Sequence, residues 1–221
     1  MRFKAVVFDL DGTLVDSAPG LHASINRLLT QDGRAALELN AVKTMVGDGV
    51  RPLVRRAYAA TGRAPDEPES DRLTERFLAF YDEDGPRLTV LNPGARAVLE
   101  DLSARGIALG LCTNKPQAAT LLLLESLGID RYLPAVLGGD CLGGIRKPDP
   151  RHVLAVLDAL RVVPDEAAMV GDSPNDVRAG RDAGLPVIAV SFGYPLGPVA
   201  DLGADLVIDR FEELPGALER L

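Results

Sequence analysis

Two carboxylates two residues apart, Asp9 and Asp11, follow the apolar run Ala5-Val6-Val7-Phe8 and precede Gly12-Thr13. Side chains two apart on an extended chain point the same way, so both acids can face one site before Gly12 turns the backbone. At a separation of about 4 Å, two full negative charges repel by about 4 kcal/mol even at an effective dielectric near 20. A cation or a shared proton must relieve that repulsion. Asp-Gly alone is also common turn chemistry, so the pair gains meaning only from what converges on it.

Three later stretches carry compatible groups. Thr113-Asn114-Lys115-Pro116 follows a second apolar run, and its hydroxyl and amide can donate to phosphate oxygens or simply cap a helix. Arg146-Lys147-Pro148-Asp149-Pro150 holds two candidate cations in a loop stiffened by prolines on both sides of Asp149. A carboxylate nucleophile needs such a cation before it can approach a phosphate dianion, and both Arg146 and Lys147 qualify. Gly171-Asp172-Ser173-Pro174-Asn175-Asp176 follows a further apolar run, and its two acids, four apart, can meet across the turn. Together Asp9, Asp11, Asp172 and Asp176 make a set of hard oxygen ligands with no thiolate or imidazole set beside them. With a phosphate substrate, that donor set selects Mg²⁺ over zinc.

The elements that must position these groups can be read from periodicity. Ala5 to Phe8 is a strand buried on both faces. From about residue 17 to 88 the pattern is helical. Leu21, Ile25, Leu28 and Leu29 share a face over Ala18 to Gln31; Asn40 can cap Ala41 to Val46; Gly47-Asp48-Gly49 breaks the chain before a helix over Val50 to Thr61. Thr61 to Glu69, with Pro65 and Pro68, reads as a loop, and Ser70 or Asp71 as the start of another helix through Tyr81. From Pro93 helices and strands alternate, the rhythm of right-handed crossovers and a parallel sheet. Strands are expected over Ile107 to Cys112, Ala135 to Leu137, Ala167 to Val170, Val187 to Val190 and Leu206 to Ile208. Helices are expected over Ala95 to Arg105, Pro116 to Leu127, Pro150 to Leu160, Pro174 to Ala183 and Pro215 to Leu221, with Gly past several ends and Pro near several starts. The fold class is thus α/β, a doubly wound parallel-sheet core over 1–16 and 89–221, with a helical insert over 17–88. Ligands of such sheets bind beyond the carboxyl ends of the strands, where all four stretches lie.

Composition narrows the function classes. The chain of 221 residues is 47% apolar, enough for a real core. Lys and Arg number 24 against 32 Asp and Glu, a net charge of −8, and aromatics are only 5% with no Trp, which argues against a nucleic-acid groove or a base-stacking surface. No apolar stretch approaches the roughly 20 residues that span a bilayer. Two cysteines, Cys112 and Cys141, and a start that runs straight into the first strand give the expectation of a reducing cytoplasm.

The ordered set of DxDGT at Asp9, Thr113, Lys147 and GDSxxD at Asp172 resembles the four signatures of the haloacid dehalogenase superfamily, whose members are mostly phosphate hydrolases. The resemblance implies Asp9 as nucleophile, Asp11 as acid and base, and Thr113 and Lys147 as phosphate ligands. It also implies a Mg²⁺ site of Asp9, the Asp11 carbonyl and Asp172, with Asp176 in support and Asn114 lining the phosphate site. It further implies that 17–88 is a small α-helical cap, whose Gly47-Asp48-Gly49 turn reaches toward the substrate. Met-Val-Gly-x-Gly, Leu-Gly-Leu-Cys-Thr-Asn-Lys-Pro and Gly-Gly-Asp together are most similar to the phosphoglycolate phosphatases. That likeness implies a small phosphate monoester, 2-phosphoglycolate, hydrolysed through an aspartyl-phosphate by a monomer or homodimer. Arg51 and Arg55 are then candidate partners for the substrate carboxylate, against the plain reading of solvated helix charges. A phosphosugar mutase of the beta-phosphoglucomutase type shares the core signatures and stands as the alternative, as does a phosphatase acting on a sugar phosphate. Dehalogenases and phosphonate hydrolases depart at the position of Asp11. A phosphorylatable receiver domain would have no room for a cap of this size, and a non-catalytic regulator on the same fold would not turn over p-nitrophenyl phosphate.

Overall fold

Every residue of the strand Ala5–Phe8 (β1) is fully buried, which is why the run contains no polar alternation. Its alternate side chains enter different layers. Val6 and Phe8 pack with Leu99, Leu123 and Leu218 on one face, whereas Ala5 and Val7 pack with Val153, Val156 and Val177 on the other. Full burial of side chains of this size is worth about 2 kcal/mol each, so β1 anchors both layers of the core at once. The computed structural model describes residues 2–194 and 197–221.

After β1 come a two-residue strand, Val15–Asp16 (β2), and four helices: Ala18–Gln31 (α1), Leu39–Lys43 (α2), Val50–Ala60 (α3) and Glu67–Leu88 (α4). The chain then continues through Val90–Leu91 (β3), Ala95–Ala104 (α5), Ala108–Cys112 (β4), Gln117–Leu127 (α6), Ala135–Leu137 (β5), Pro150–Leu160 (α7), Ala167–Gly171 (β6), Pro174–Asp182 (α8), Val187–Val190 (β7), Leu206–Ile208 (β8) and Leu214–Arg220 (α9). Six strands form one parallel sheet in the order β5-β4-β1-β6-β7-β8. The central strand β1 is flanked by β4 and β6, so the connections run outward from it in both directions. A crevice therefore opens at its carboxyl end, where Asp9 and Asp11 lie.

Helices α1 to α4 enclose their own apolar cluster, including Ile25, Leu28, Val54, Tyr58, Phe77 and Tyr81, and Ala119 of α6 packs into it. None of the helices among the described residues is long and apolar enough to cross a membrane.

Helices and strands of the sheet layer fall within a residue or two of expectation, and the differences are local. Helix α4 starts one turn earlier than Ser70, because the Asp66 carboxylate accepts from the Glu69 amide and Pro68 sits in the first turn, where its missing N–H costs nothing. Asn40 lies inside α2 rather than capping it. Unexpected is the antiparallel pairing of β2 with β3, Val15 with Leu91 and Asp16 with Val90. Two-residue strands carry no period to read. The pair ties together the points where the chain leaves the sheet layer and returns to it.

Candidate active site

At the carboxyl end of β1 the backbone must turn sharply around a carboxylate from another strand. Gly12 does so with φ of +90°, and a Cβ there would lie 2.2 Å from Oδ2 of Asp172. Gly193 approaches the same carboxylate from the far side, where a Cβ would lie 2.3 Å from Oδ2. Main chain without side chains thus packs Asp172 between β1 and the segment after β7. Its Oδ2 accepts from the Tyr194 amide at 2.6 Å, and its Oδ1 from the Thr13 hydroxyl at 3.4 Å.

Asp9, Asp172 and Asp176 are all buried, and each offers a carboxylate oxygen within 4.8 Å of the others. Lys147 is buried among them, 2.6 Å from Oδ1 of Asp9 and 2.6 Å from Oδ1 of Asp176. Arg146, the other candidate cation, forms no ion pair within this cluster among the described residues. The second oxygen of Asp176 accepts from the amides of Asp172 and Ser173 and from the Ser173 hydroxyl, closing a capping box at the start of α8. Asp176 is therefore saturated by protein donors, whereas Asp9 keeps acceptor capacity.

Charge follows from this arrangement. Three buried carboxylates face one ammonium, a formal deficit of two positive charges. Burial, reinforced by the charge of Asp176 and opposed by Lys147, pushes the Asp9 carboxyl up to about 7. Burial and the charge of Asp9 raise Asp172 well above the usual carboxylate range. Lys147 is held protonated by Asp176 and Asp9 against the cost of its burial. All donors are hard oxygens at a site short of two charges, so the residues present fit a divalent metal ion.

Asp11 stands apart from that cluster. Both its oxygens lie 3.2 Å from Nζ of Lys115, a buried lysine whose ammonium also sits 4.2 Å over the Tyr81 ring. Lys115 holds its proton firmly: burial opposes the charge, but Asp11 and Tyr81 outweigh it. Sequence reasoning passed over Lys115, noting it only inside the Thr-Asn-Lys-Pro run. Its position two residues past Thr113 at the end of a buried strand was the available signal.

One cavity joins the acids to the helices: Asp9, Asp11, Thr113, Asn114 and Lys115 line it from the sheet, Gly47 and Gly49 from the turn before α3. The Asn114 amide donates to the carbonyls of Gly47 and Lys147, both at 3.0 Å, and so ties that turn to the loop bearing the lysine. Asp48 faces elsewhere. Its carboxylate accepts from Asn175 at 2.7 Å and pairs with Arg56, which together hold it below the usual range despite partial burial. Arg51 and Arg55 do not serve the cavity. Arg51 pairs with Glu67 and Asp71, and Arg55 with Glu67, because α4 presents acids to that face of α3.

Comparison with known proteins places this arrangement. A "Phosphoglycolate phosphatase" of Rhodospirillum rubrum is 49% identical over 215 residues, 96% of this chain and 89% of the relative. Another of that name, from Caulobacter vibrioides, is 42% identical over 96% of this chain and 89% of its own length. Among solved structures, that of "a predicted phosphoglycolate phosphatase" from Haemophilus somnus superposes with a TM-score of 0.92 at 32% identity, covering 99% of both chains. The sequence profile of the haloacid dehalogenase-like hydrolases matches residues 3–184, and with relatives this similar over nearly its whole length the chain belongs to that family.

Proposed function

We propose that this chain is a Mg²⁺-dependent phosphatase that hydrolyses 2-phosphoglycolate to glycolate and phosphate through an aspartyl-phosphate on Asp9. The observation that carries the reading is the pairing of acids at one strand end: Asp9 buried against Lys147, and Asp11 two residues on, lining the same cavity. When bound by Asp9, Asp172 and the Asp11 carbonyl, Mg²⁺ supplies the positive charge that this cluster lacks and lets an anionic phosphate approach an anionic nucleophile.

Asp9 attacks phosphorus in line, with the Lys147 ammonium offsetting charge beside it. Thr113 donates its hydroxyl to a phosphate oxygen, and Asn114 lines the same side. Asp11 gives a proton to the departing glycolate oxygen, and as a carboxylate it then takes one from the water that cleaves the acyl phosphate. Asp176 keeps Lys147 aimed at Asp9. Residues 17–88 act as a cap on a core of 1–16 and 89–221, and the Gly47 to Gly49 turn closes over the site to exclude bulk water.

The names of the relatives and the small apolar wall of the cavity, Leu21, Val46, Val50 and Leu53, support a two-carbon ester over a hexose phosphate, whose hydroxyls that wall cannot satisfy. The test is a Mg²⁺-dependent screen with 2-phosphoglycolate and hexose phosphates side by side, repeated with Asp9→Asn. The expected result is highest kcat/KM on 2-phosphoglycolate and no turnover by D9N. Better kcat/KM on a hexose phosphate overturns the substrate, and near-normal turnover by D9N overturns the mechanism.

A further inference from the structure

The proposed ester bears a second anion besides its phosphate, and the arginines that sequence reasoning offered for it are engaged elsewhere. Among the described residues that line the cavity, Lys115 is the one cation. Its place beside Asp11 matters. In 2-phosphoglycolate the carboxylate is attached to the carbon that carries the leaving oxygen, so whatever protonates that oxygen also stands next to the carboxylate. Asp11 fills the first role in the proposed function, and the Lys115 ammonium lies 3.2 Å from both oxygens of Asp11.

We infer that Lys115 is the specificity-determining residue that receives the carboxylate of the leaving group, so that this site selects small phosphate esters carrying an acid next to the ester oxygen. The inference rests on the proposed substrate class and on the geometry around Asp11. An ammonium has three N–H donors, and those engaged by Asp11 leave capacity for a second anion. The Tyr81 ring under Nζ steadies the ammonium through a weak contact, and a substrate carboxylate, as a stronger acceptor, takes over the N–H that faces the ring. Leu21, Val46, Val50 and Leu53 supply an apolar wall for the methylene and keep water from competing for the ion pair. Burial of Lys115 also makes its vacancy costly, since a carboxylate-free ester leaves that capacity unmet.

The experiment compares 2-phosphoglycolate with ethyl phosphate, which has the same leaving oxygen and no carboxylate, for the wild type, K115M and K115R. The wild type is expected to prefer the acid by about 100-fold or more in kcat/KM. K115M is expected to erase most of that preference, about 30-fold or more, chiefly through KM for 2-phosphoglycolate, while K115R keeps the preference within about tenfold of wild type. Where K115M fails to fold, K115Q, which keeps a polar chain of similar length, carries the same expectation. A wild-type preference that K115M or K115Q retains overturns the inference and leaves the substrate reading standing. Equal losses on both esters also overturn it, because Lys115 would then act only by positioning Asp11. A wild type with no preference for the acid removes the substrate reading and the inference together.

Discussion

The ammonium of Lys147 and the carboxylate of Asp176 meet at 2.6 Å, and both residues are buried. The same lysine lies 2.6 Å from Asp9, so Asp176 helps to fix where the positive charge beside Asp9 sits. Stranding one partner of a buried pair costs about 3–5 kcal/mol; Lys147 keeps Asp9, so the loss of Asp176 falls at the low end, about 3 kcal/mol with the capping box of α8 included. Asp176→Ala is therefore expected to lower stability by about that amount in urea denaturation, and D176N by less because the amide still accepts from the Ser173 hydroxyl and amides. Both variants should lose kcat at a temperature where each remains folded. Wild-type stability in D176A would mean that Lys147 finds equal compensation elsewhere.

Removal of divalent metal should abolish turnover and lower thermal stability together. Burial and the charge of Asp176 push Asp9 toward the neutral form, burial and the charge of Asp9 do the same to Asp172, and a bound cation reverses both. At 100 times its dissociation constant a ligand of the folded state adds about 2.7 kcal/mol. A melting series with EDTA and then rising Mg²⁺ should show a saturable increase in Tm for the wild type and little or none for Asp172→Asn. Equal Mg²⁺ shifts in the two proteins would place the ion elsewhere.

The close approach of Gly193 to Asp172 gives a separate handle on the same site. An alanine Cβ at 193 would sit 2.3 Å from Oδ2, so the carboxylate must move and its bond from the Tyr194 amide must lengthen. Gly193→Ala is expected to weaken Mg²⁺ binding about tenfold or more, the size of effect seen when partners of metal ligands are disturbed. Titration of activity against Mg²⁺ checks this. A mere loss of kcat at unchanged half-saturation would show that Asp172 tolerates the displacement.

The sheet layer was legible because each strand is short, apolar and bounded by Gly, Pro or acidic turns, and because order along the chain constrains a parallel sheet. Asp9, Asp172 and Asp176 lie at or just beyond strand exits and Lys147 in the loop that follows another, and the structure brings the three acids within 4.8 Å of one another with Lys147 paired to Asp9 and Asp176. What stayed hidden depends on tertiary partners. The contact of Lys115 with Asp11 spans 104 residues, and nothing local separates a buried lysine from a solvated one. The partners of Arg51 and Arg55 depend on tertiary structure in the same way: both pair with Glu67, which the sequence pattern assigns to a loop and the structure to the first turn of α4, in keeping with the plain reading of helix charges. Gly193, in turn, reads as an ordinary loop glycine until Asp172 is seen beside it.

Stability should also carry the titration of a group outside the acid cluster. His152, in the first turn of α7, is fully buried, and burial followed by the charge of Lys147 lowers it from an ordinary 6.5 to about 4. Between those values the unfolded chain binds a proton that the folded chain does not, so stability rises with pH through this window. The contribution is complete above about pH 6.5 and lost progressively as pH falls toward 4, up to about 3 kcal/mol. Urea midpoints measured from pH 7.5 to 4.5 should therefore fall more steeply for the wild type than for His152→Leu, which has no proton to take up when it unfolds. Because the acid cluster is the same in both proteins, its own titration cancels in the difference between the two curves. Parallel curves across that window would show that His152 is protonated in the folded chain as readily as in the unfolded one.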